Sequence, residues 1–537
     1  MQWRRTYSPL FPLLLEIHLT MGKPRILWAD DEIELLKPHI MFLEEKGYDF
    51  ECCNNGLDAT EKVANEFFDL VILDENMPGL SGLETLERIK NTHPNLPIIM
   101  ITKSEEEMIM EEAIGSKISD YLIKPVNPKQ ILLSLKKNLD NSRLVSEKTT
   151  SGYQQQFREI TMEMMDIRDL EGWKDMFKKM VNWSLKLQDS EDKGMQEIWD
   201  MQWTDANKQF SKFVSENYAD WISGGDDAPT MSQNLIQRKL IGNIKDDAKT
   251  TFFLVIDNLR YDQWLVLKPS LQKWFRIEQE EVVSSMLPTT TQYARNALFS
   301  GLMPSEIARN YPDKWVADDE DGGKNLHEEF FLKENLRRNG FDGKMEYHKI
   351  TNHQAGKKLV DQFSQMTQKD VVAIVYNFVD MLSHARTEME VIRELADDEP
   401  AYRSITNSWF AHSPLLDLIR QIAAGGHKLI ITTDHGTVRG KTPSKVMGYR
   451  NTTTNLRYKQ GKNLDYKANE VLVCDDPEKF GLPKPYLSSK YIFALENYYF
   501  VYPNNFNHFV KFFKDTFQHG GVSLEEMMIP YIEMVPK

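Results

Sequence analysis

Two sets of residues in this chain have types and spacings that could do chemistry. Toward the N-terminus, Asp30 and Asp31 follow one apolar run, Asp74 a second, Thr102 a third and Lys124-Pro125 a fourth, with Tyr121 three residues before the lysine. Carboxylates brought together like this repel unless a hard divalent cation lies between them, and Mg²⁺ takes such oxygen ligands. Asp74 can then act as a nucleophile toward a phosphoryl group, and Lys124 and Thr102 can hold the oxygens of the acyl phosphate it forms. The second set is Asp257, Asp380 with His384 four residues on, Asp434-His435-Gly436 and His519-Gly520. These aspartates and histidines make an oxygen and nitrogen ligand set suited to zinc or manganese, large enough for two metals that could clamp an in-line displacement at phosphorus. Thr291 offers the nucleophile. Pro288 ends an extended stretch and residues 292–300 read as a helix, which puts Thr291 at a helix N-terminus, where free amides and the macrodipole favour a phosphate.

The elements that must position these residues can be read from the apolar pattern. Segments 25–29, 33–46, 50–53, 57–65, 70–73, 83–90, 98–101, 106–115, 121–123 and 128–138 alternate short apolar runs with amphipathic stretches. That is the signature of a doubly wound, parallel five-stranded sheet, in which ligands collect at the carboxyl ends of the strands. Residues 143–245 turn polar, Met-rich and Trp-rich, without strand-like runs. They read as a linker bundle of about three helices with a packed core, a spacer between an N-terminal input and a C-terminal output. From 246 a second α/β pattern begins, with runs at 251–256, 371–379 and 428–432. Its Asp and His residues are expected at strand ends or in loops.

Composition narrows the partners. The 537 residues carry 65 Lys plus Arg against 80 Asp plus Glu, a net charge of −15, so the chain lacks the broad basic footprint of a DNA-binding protein. Cys52, Cys53 and Cys474 are the only cysteines, which suits a reducing cytosol and leaves any zinc to His and carboxylates. Arg4, Arg5 and the apolar stretch 10–19 superficially resemble a secretion signal, but Glu16 and His18 interrupt it and no small-residue cleavage site follows. Residues 1–20 therefore read as a non-native extension ahead of a start at Met21. With no stretch near the ~20 apolar residues of a membrane span, the expected location is the cytoplasm.

The order Asp-Asp, Asp, Thr, Tyr, Lys-Pro makes residues 23–142 similar to a two-component receiver, a domain set at 21–142. The resemblance implies that Asp30, Asp31 and Asp74 bind Mg²⁺. It also implies that a sensor histidine kinase phosphorylates Asp74, and that Thr102, Tyr121 and Lys124 form the switch. Residues 250–537, within a domain set at 246–537, resemble the alkaline phosphatase superfamily, particularly its phosphodiesterase branch. By that resemblance Asp257, Thr291, Asp434 and His435 hold one zinc, and Asp380, His384 and His519 a second. The sulfatase motif with its modified Cys or Ser is absent. Receiver, helical linker and this domain together resemble the PglZ-domain response regulators. That implies a bimetallic zinc phosphodiesterase acting on nucleotides or oligonucleotides, driven by a sensor kinase and linked to type IX secretion. Two other readings share these residues. One is a non-catalytic regulator that binds a sigma factor, and the other is a phosphomonoesterase or phosphomutase. Phosphorylation at Asp74 is expected to alter the face made by the fourth and fifth receiver units and so to drive homodimerisation.

A basic stretch over 439–462 follows Asp434-His435 directly, and Arg450, Asn451 and Arg457 are its candidate substrate contacts. The alternative is a solvated charge run. His348, His353, His412, His427 and His508 have no carboxylates at ligand spacing and read as structural.

Overall fold

The computed structural model describes residues 23–94, 96–102, 118–188, 193–224, 228–244, 249–318, 320, 322–388, 398–449 and 452–537. The expected helix over 106–115, the extension 1–20, Arg450 and Asn451 lie outside them. The chain forms two compact units, one ending at Ser151 and the other Gly152–Lys537.

In the first unit, strands β1 (Arg25–Ala29), β2 (Asp49–Cys53), β3 (Leu70–Asp74), β4 (Ile98–Thr102) and β5 (Asp120–Ile123) form a wholly parallel sheet in the order β2-β1-β3-β4-β5. Alternate residues of β1, β3 and β4 feed two separate clusters: Leu27, Val71, Leu73 and Met100 lie on one face, and Ile26, Trp28, Ile72 and Ile99 on the other. The strands read as continuous apolar runs because both faces are covered. Helices α1 (Lys37–Glu44), α2 (Gly56–Asn65), α3 (Gly82–Thr92) and the start of α4 (Pro128–Asp166) supply the cover. Asn55 caps α2 by accepting from the Asp58 amide, and Ser81 with Glu84 forms a capping box on α3. Gly82 has to be glycine: a Cβ there would lie 2.5 Å from the carbonyl oxygen of Asp74. This lets α3 start hard against the end of β3.

In the second unit, β6 (Thr251–Ile256), β7 (Phe275–Ser284), β8 (Met345–Ile350), β9 (Val371–Tyr376), β10 (Lys428–Thr432) and β11 (Met528–Pro536) form a six-stranded sheet in the order β7-β11-β10-β6-β9-β8. Strands β8, β9, β6 and β10 are parallel, and β11 is antiparallel to both its neighbours. Three neighbouring parallel strands, β9, β6 and β10, therefore end on the same edge. A small antiparallel sheet of Tyr458–Gly461, Lys490–Ala494 and Val471–Cys474 is inserted between β10 and β11.

The helical segment is more than a spacer. Tyr153 and Ile160 of α4, Trp173, Phe177 and Met180 of α5 (Leu170–Gln188), and Phe210, Val214 and Tyr218 of α6 (Lys193–Ser223) are buried in one cluster with Phe252, Leu254 and Ile256 of β6 and Ile532 of β11. Phe253, Val255 and Ile430 face the opposite cluster. The Met and Trp stripe thus covers one face of the sheet. Among the described residues, no helix is long and apolar enough to cross a membrane.

Candidate metal centres

In the first unit the ends of β1 and β3 bring carboxylate oxygens of Asp30, Asp31 and Asp74 within 4.8 Å of one another. Asp30 and Asp74 are buried, and Asp31 is exposed. Lys124 Nζ reaches Asp30 at 2.9 Å and Asp74 at 2.8 Å, tying the end of β5 to both. Burial pushes the Asp74 carboxyl upward against the opposing pull of Lys124. Thr102 is fully buried at the end of β4 and hydrogen bonds the Tyr121 side chain. Asp74, Lys124, Thr102 and Tyr121 thus share one rim of the sheet.

In the second unit, the ends of β6, β9 and β10 build two adjoining groups. Asp257, directly after β6, and Asp434 and His435, just after β10, are fully buried. Asp257 Oδ1 lies 3.3 Å from Thr291 Oγ and 3.9 Å from His435 Nε2, while Thr291 Oγ lies 3.2 Å from the same imidazole nitrogen. The neighbouring group is Asp380, His384 and His519, whose donor atoms lie within 4.8 Å of one another. His384 and His519 Nε2 are 3.6 and 3.7 Å from Asp380 Oδ1. The His435 and His519 rings stack with centroids 4.3 Å apart, so the groups share a wall. His435 Nδ1 is bonded to the Gly436 carbonyl and His519 Nδ1 to that of Thr289, which turns each Nε2 toward its group.

Asp380 and His384 do not sit at a strand end or in a loop, as the apolar run over 371–379 suggested. The strand stops at Tyr376, and both residues lie on helix α9 (Phe378–Glu388), one turn apart on one face. Thr291 opens a π-helical turn, Thr291–Arg295, that continues as α8 (Asn296–Ser300). The nucleophile candidate therefore starts a widened turn, a feature that frequently marks functional sites.

The donor set fits a metal. Asp434 Oδ2 is buried and makes no hydrogen bond, with Arg295 Nη1 and His435 Nε2 each at 3.7 Å. Burial, then the charge of nearby carboxylates, pushes Asp257 and Asp380 upward, and burial with His435 and His384 holds His519 well below the usual imidazole range. Carboxylates and imidazoles gathered at this spacing are the donors a divalent cation takes.

The family comparisons match this geometry. Residues 26–136 match the response regulator receiver domain and residues 143–222 the PorX response regulator linker domain. Residues 235–534, more than half of the chain, match the BREX system PglZ alkaline phosphatase-like domain. The chain belongs to the PglZ family. Its curated relatives are matched through the receiver. The transcriptional regulatory protein ZraR of Klebsiella oxytoca is 36% identical over 132 residues, 25% of this chain and 30% of that protein. The CpxR homolog of Haemophilus influenzae is 37% identical over 118 residues, 22% of this chain and 51% of that protein. The PglZ chain thus spans only about a third to a half of the length of these relatives. A solved CheY-like receiver domain from Methanospirillum hungatei is 31% identical, covers 22% of this chain and 96% of that one, and has a TM-score of 0.22. A receiver domain, a PorX-type linker domain and a PglZ alkaline phosphatase-like domain thus follow one another along this PglZ chain.

One expected substrate contact fails in this PglZ chain. Arg457 is fully buried, with its guanidinium 2.6 Å from Glu526 and further bonded to the carbonyls of Leu495, Glu496 and Tyr498. It clamps the small sheet to the segment before β11. Four other cations of the basic stretch are also engaged locally or buried. Arg439 pairs with Asp515, Lys445 and Lys462 lie over the rings of Phe506 and Tyr486, and Lys459 is buried, its amine pushed down to about 8. Arg457→Ala should cost about 3–5 kcal/mol in urea unfolding, because it strands the buried Glu526 charge, while leaving KM for a small phosphodiester unchanged.

The residues that reading the sequence missed lie beneath the ligands. Arg295, fully buried, is 2.5 Å from Asp257 Oδ2 and 2.5 Å from Glu328, which is also held by Tyr347 and, at 3.0 Å, by Lys349. The signal was available: Arg295 stands four residues after Thr291, on the same turn. Asn258, at φ 63°, donates its backbone amide to Asp434 and its side-chain amide to Ser383 and, at 3.5 Å, to Asp380, linking both groups through a strained position. Arg295→Met should destabilise the metal-free protein by about 3–5 kcal/mol, read by chemical unfolding, since two buried carboxylates lose their cation.

Proposed function

We propose that the chain is a two-component response regulator whose C-terminal domain is a zinc-dependent phosphodiesterase acting on nucleotide or oligonucleotide diesters, controlled by phosphorylation of Asp74. The observation that carries the reading is the placement of Thr291 Oγ within 3.3 Å of both Asp257 and His435, beside a second acidic and histidine group. Asp257, Thr291, Asp434 and His435 would hold one zinc and Asp380, His384 and His519 the other, with Mg²⁺ on Asp30, Asp31 and Asp74. When bound, the zinc ions would supply Lewis acidity at the oxygens on phosphorus.

Thr291 forms the new bond to phosphorus as the ester oxygen leaves on the opposite side, and the hydroxyl proton ends on that leaving oxygen, giving the alcohol. Water then cleaves the threonine phosphoester, its oxygen leaving on the phosphomonoester product and its proton restoring the Thr291 hydroxyl. Arg295 is committed to Asp257 and Glu328, and Arg457 to Glu526. A diester carries one fewer charge than a monoester and needs no further cation, which supports the diester. The cytoplasmic setting and a link to type IX secretion belong to the same reading.

The test loads the full chain with zinc, measures metal content, and screens cyclic and linear oligonucleotides together with a generic aryl phosphodiester. Hydrolysis with about two zinc ions per chain is expected. Full zinc loading without any turnover would instead favour a regulator that binds a sigma factor or another protein through this domain.

A further inference from the structure

We propose that Asn207 and Tyr218, on α6 of the helical segment, are positioning residues of the catalytic centre. They hold the two backbone stretches that carry His519 and Thr291. The inference rests on the hydrolase reading above and names how the helical segment acts on that site.

Trp203, Asn207, Ser211 and Tyr218 follow one another on a single face of α6, at spacings of four, four and seven residues. Each makes a polar contact outside the bundle. Trp203 Nε1 and Asn207 Nδ2 donate to the two oxygens of Glu525, at 2.6 and 3.0 Å. Asn207 Oδ1 accepts from the Leu524 amide at 2.8 Å, and Ser211 Oγ donates to the Val522 carbonyl at 3.3 Å. Tyr218, fully buried, accepts the Leu287 amide at 2.8 Å, four residues before Thr291.

The 519–527 stretch that α6 grips is bonded in turn to the rest of the site. His519 Nδ1 and the Gly520 amide bond to Thr289, the Gly436 amide donates to the Glu526 carbonyl at 3.0 Å, and the Ser285 amide donates to the Met527 carbonyl at 2.7 Å. A Cβ at Gly436 would run into the Glu525 carbonyl. The turn after His435 is therefore pressed against the residue that α6 holds. A movement of α6 displaces the His519 stretch, the His435 turn and the Thr291 loop together. Asn207 and Ser211 are nine-tenths or more buried, so no solvent can replace these bonds.

The test compares Asn207→Leu and Tyr218→Phe with Gln202→Leu in the full chain. Gln202 is on the same helix and equally buried, but among the described residues its side chain bonds only to Tyr153, Phe157 and Thr161 of α4, so it reports the stability of the bundle. Two readouts are taken: kcat and KM for an aryl phosphodiester, and the visible absorption of the Co²⁺-loaded protein, which senses ligand geometry without turnover. Asn207→Leu is expected to shift the Co²⁺ bands and lower kcat at least tenfold, with KM within twofold. Tyr218→Phe should lower kcat and shift the bands less than Asn207→Leu does, because it acts on the loop of Thr291, one donor among several. Gln202→Leu should lower the melting temperature and leave both readouts alone. If Asn207→Leu only lowers the melting temperature, with bands and kcat as in wild type, the proposal fails. If all three variants shift the bands alike, the effect is general loosening and the proposal fails. Absence of turnover in wild type would overturn the hydrolase reading alone, and the Co²⁺ bands would still decide the positioning claim.

Discussion

Thr291→Ala is expected to abolish hydrolysis of an activated phosphodiester while most of the zinc stays bound. Thr291 Oγ touches both Asp257 and His435, but those two and Asp434 remain as donors after the hydroxyl is gone, and the neighbouring group of Asp380, His384 and His519 is untouched. Losing covalent attack removes an interaction made on the way to the transition state, so kcat falls with kcat/KM. Metal analysis alongside steady-state kinetics checks this. A rate above about a tenth of wild type would show that Thr291 is not the nucleophile. His384→Ala and Asp434→Ala should lose metal together with activity, and the contrast separates a reacting group from a pure ligand.

Asp74→Asn should eliminate labelling by a small phosphodonor, and with it any donor-driven change in association. In the wild type, labelling should require Mg²⁺. The acyl phosphate places new charge beside Lys124, which already spans Asp30 and Asp74, and draws on the buried Thr102 hydroxyl that Tyr121 engages. The face formed by the fourth and fifth receiver units then changes, and two such faces can meet isologously. Light scattering with and without donor should show wild type moving toward a dimer and Asp74→Asn staying put. Equal shifts in both would place the donor's action elsewhere.

What could be read in the sequence follows from what each signal depends on. Strands β1, β3, β4, β6, β9 and β10 announce themselves because a parallel sheet covered on both faces leaves unbroken apolar runs. The acidic residues that end β3, β6 and β10 follow from that pattern. The run over 371–379 hid a boundary: Phe378 and Val379 are as apolar as the strand before them, yet they belong to α9, and periodicity cannot divide a buried strand from a buried helix start. Arg457 looked like a surface cation because its partner, Glu526, is distant in sequence and reaches it only through the fold. The Met and Trp stripe of α5 and α6 was legible as a packed face. What it packs against was not, since the covering strands belong to a different stretch of the chain.

That shared core bears on how such proteins can be recombined. The helices from Tyr153 onward are buried in one cluster with β6 and β11, so cutting the chain where the hydrolase motif begins would expose the apolar face of a six-stranded sheet. The unit that can be inherited or transplanted whole is Gly152–Lys537. The helices and the PglZ domain must therefore diverge in step, each substitution on one side of their common core restricting what the other accepts.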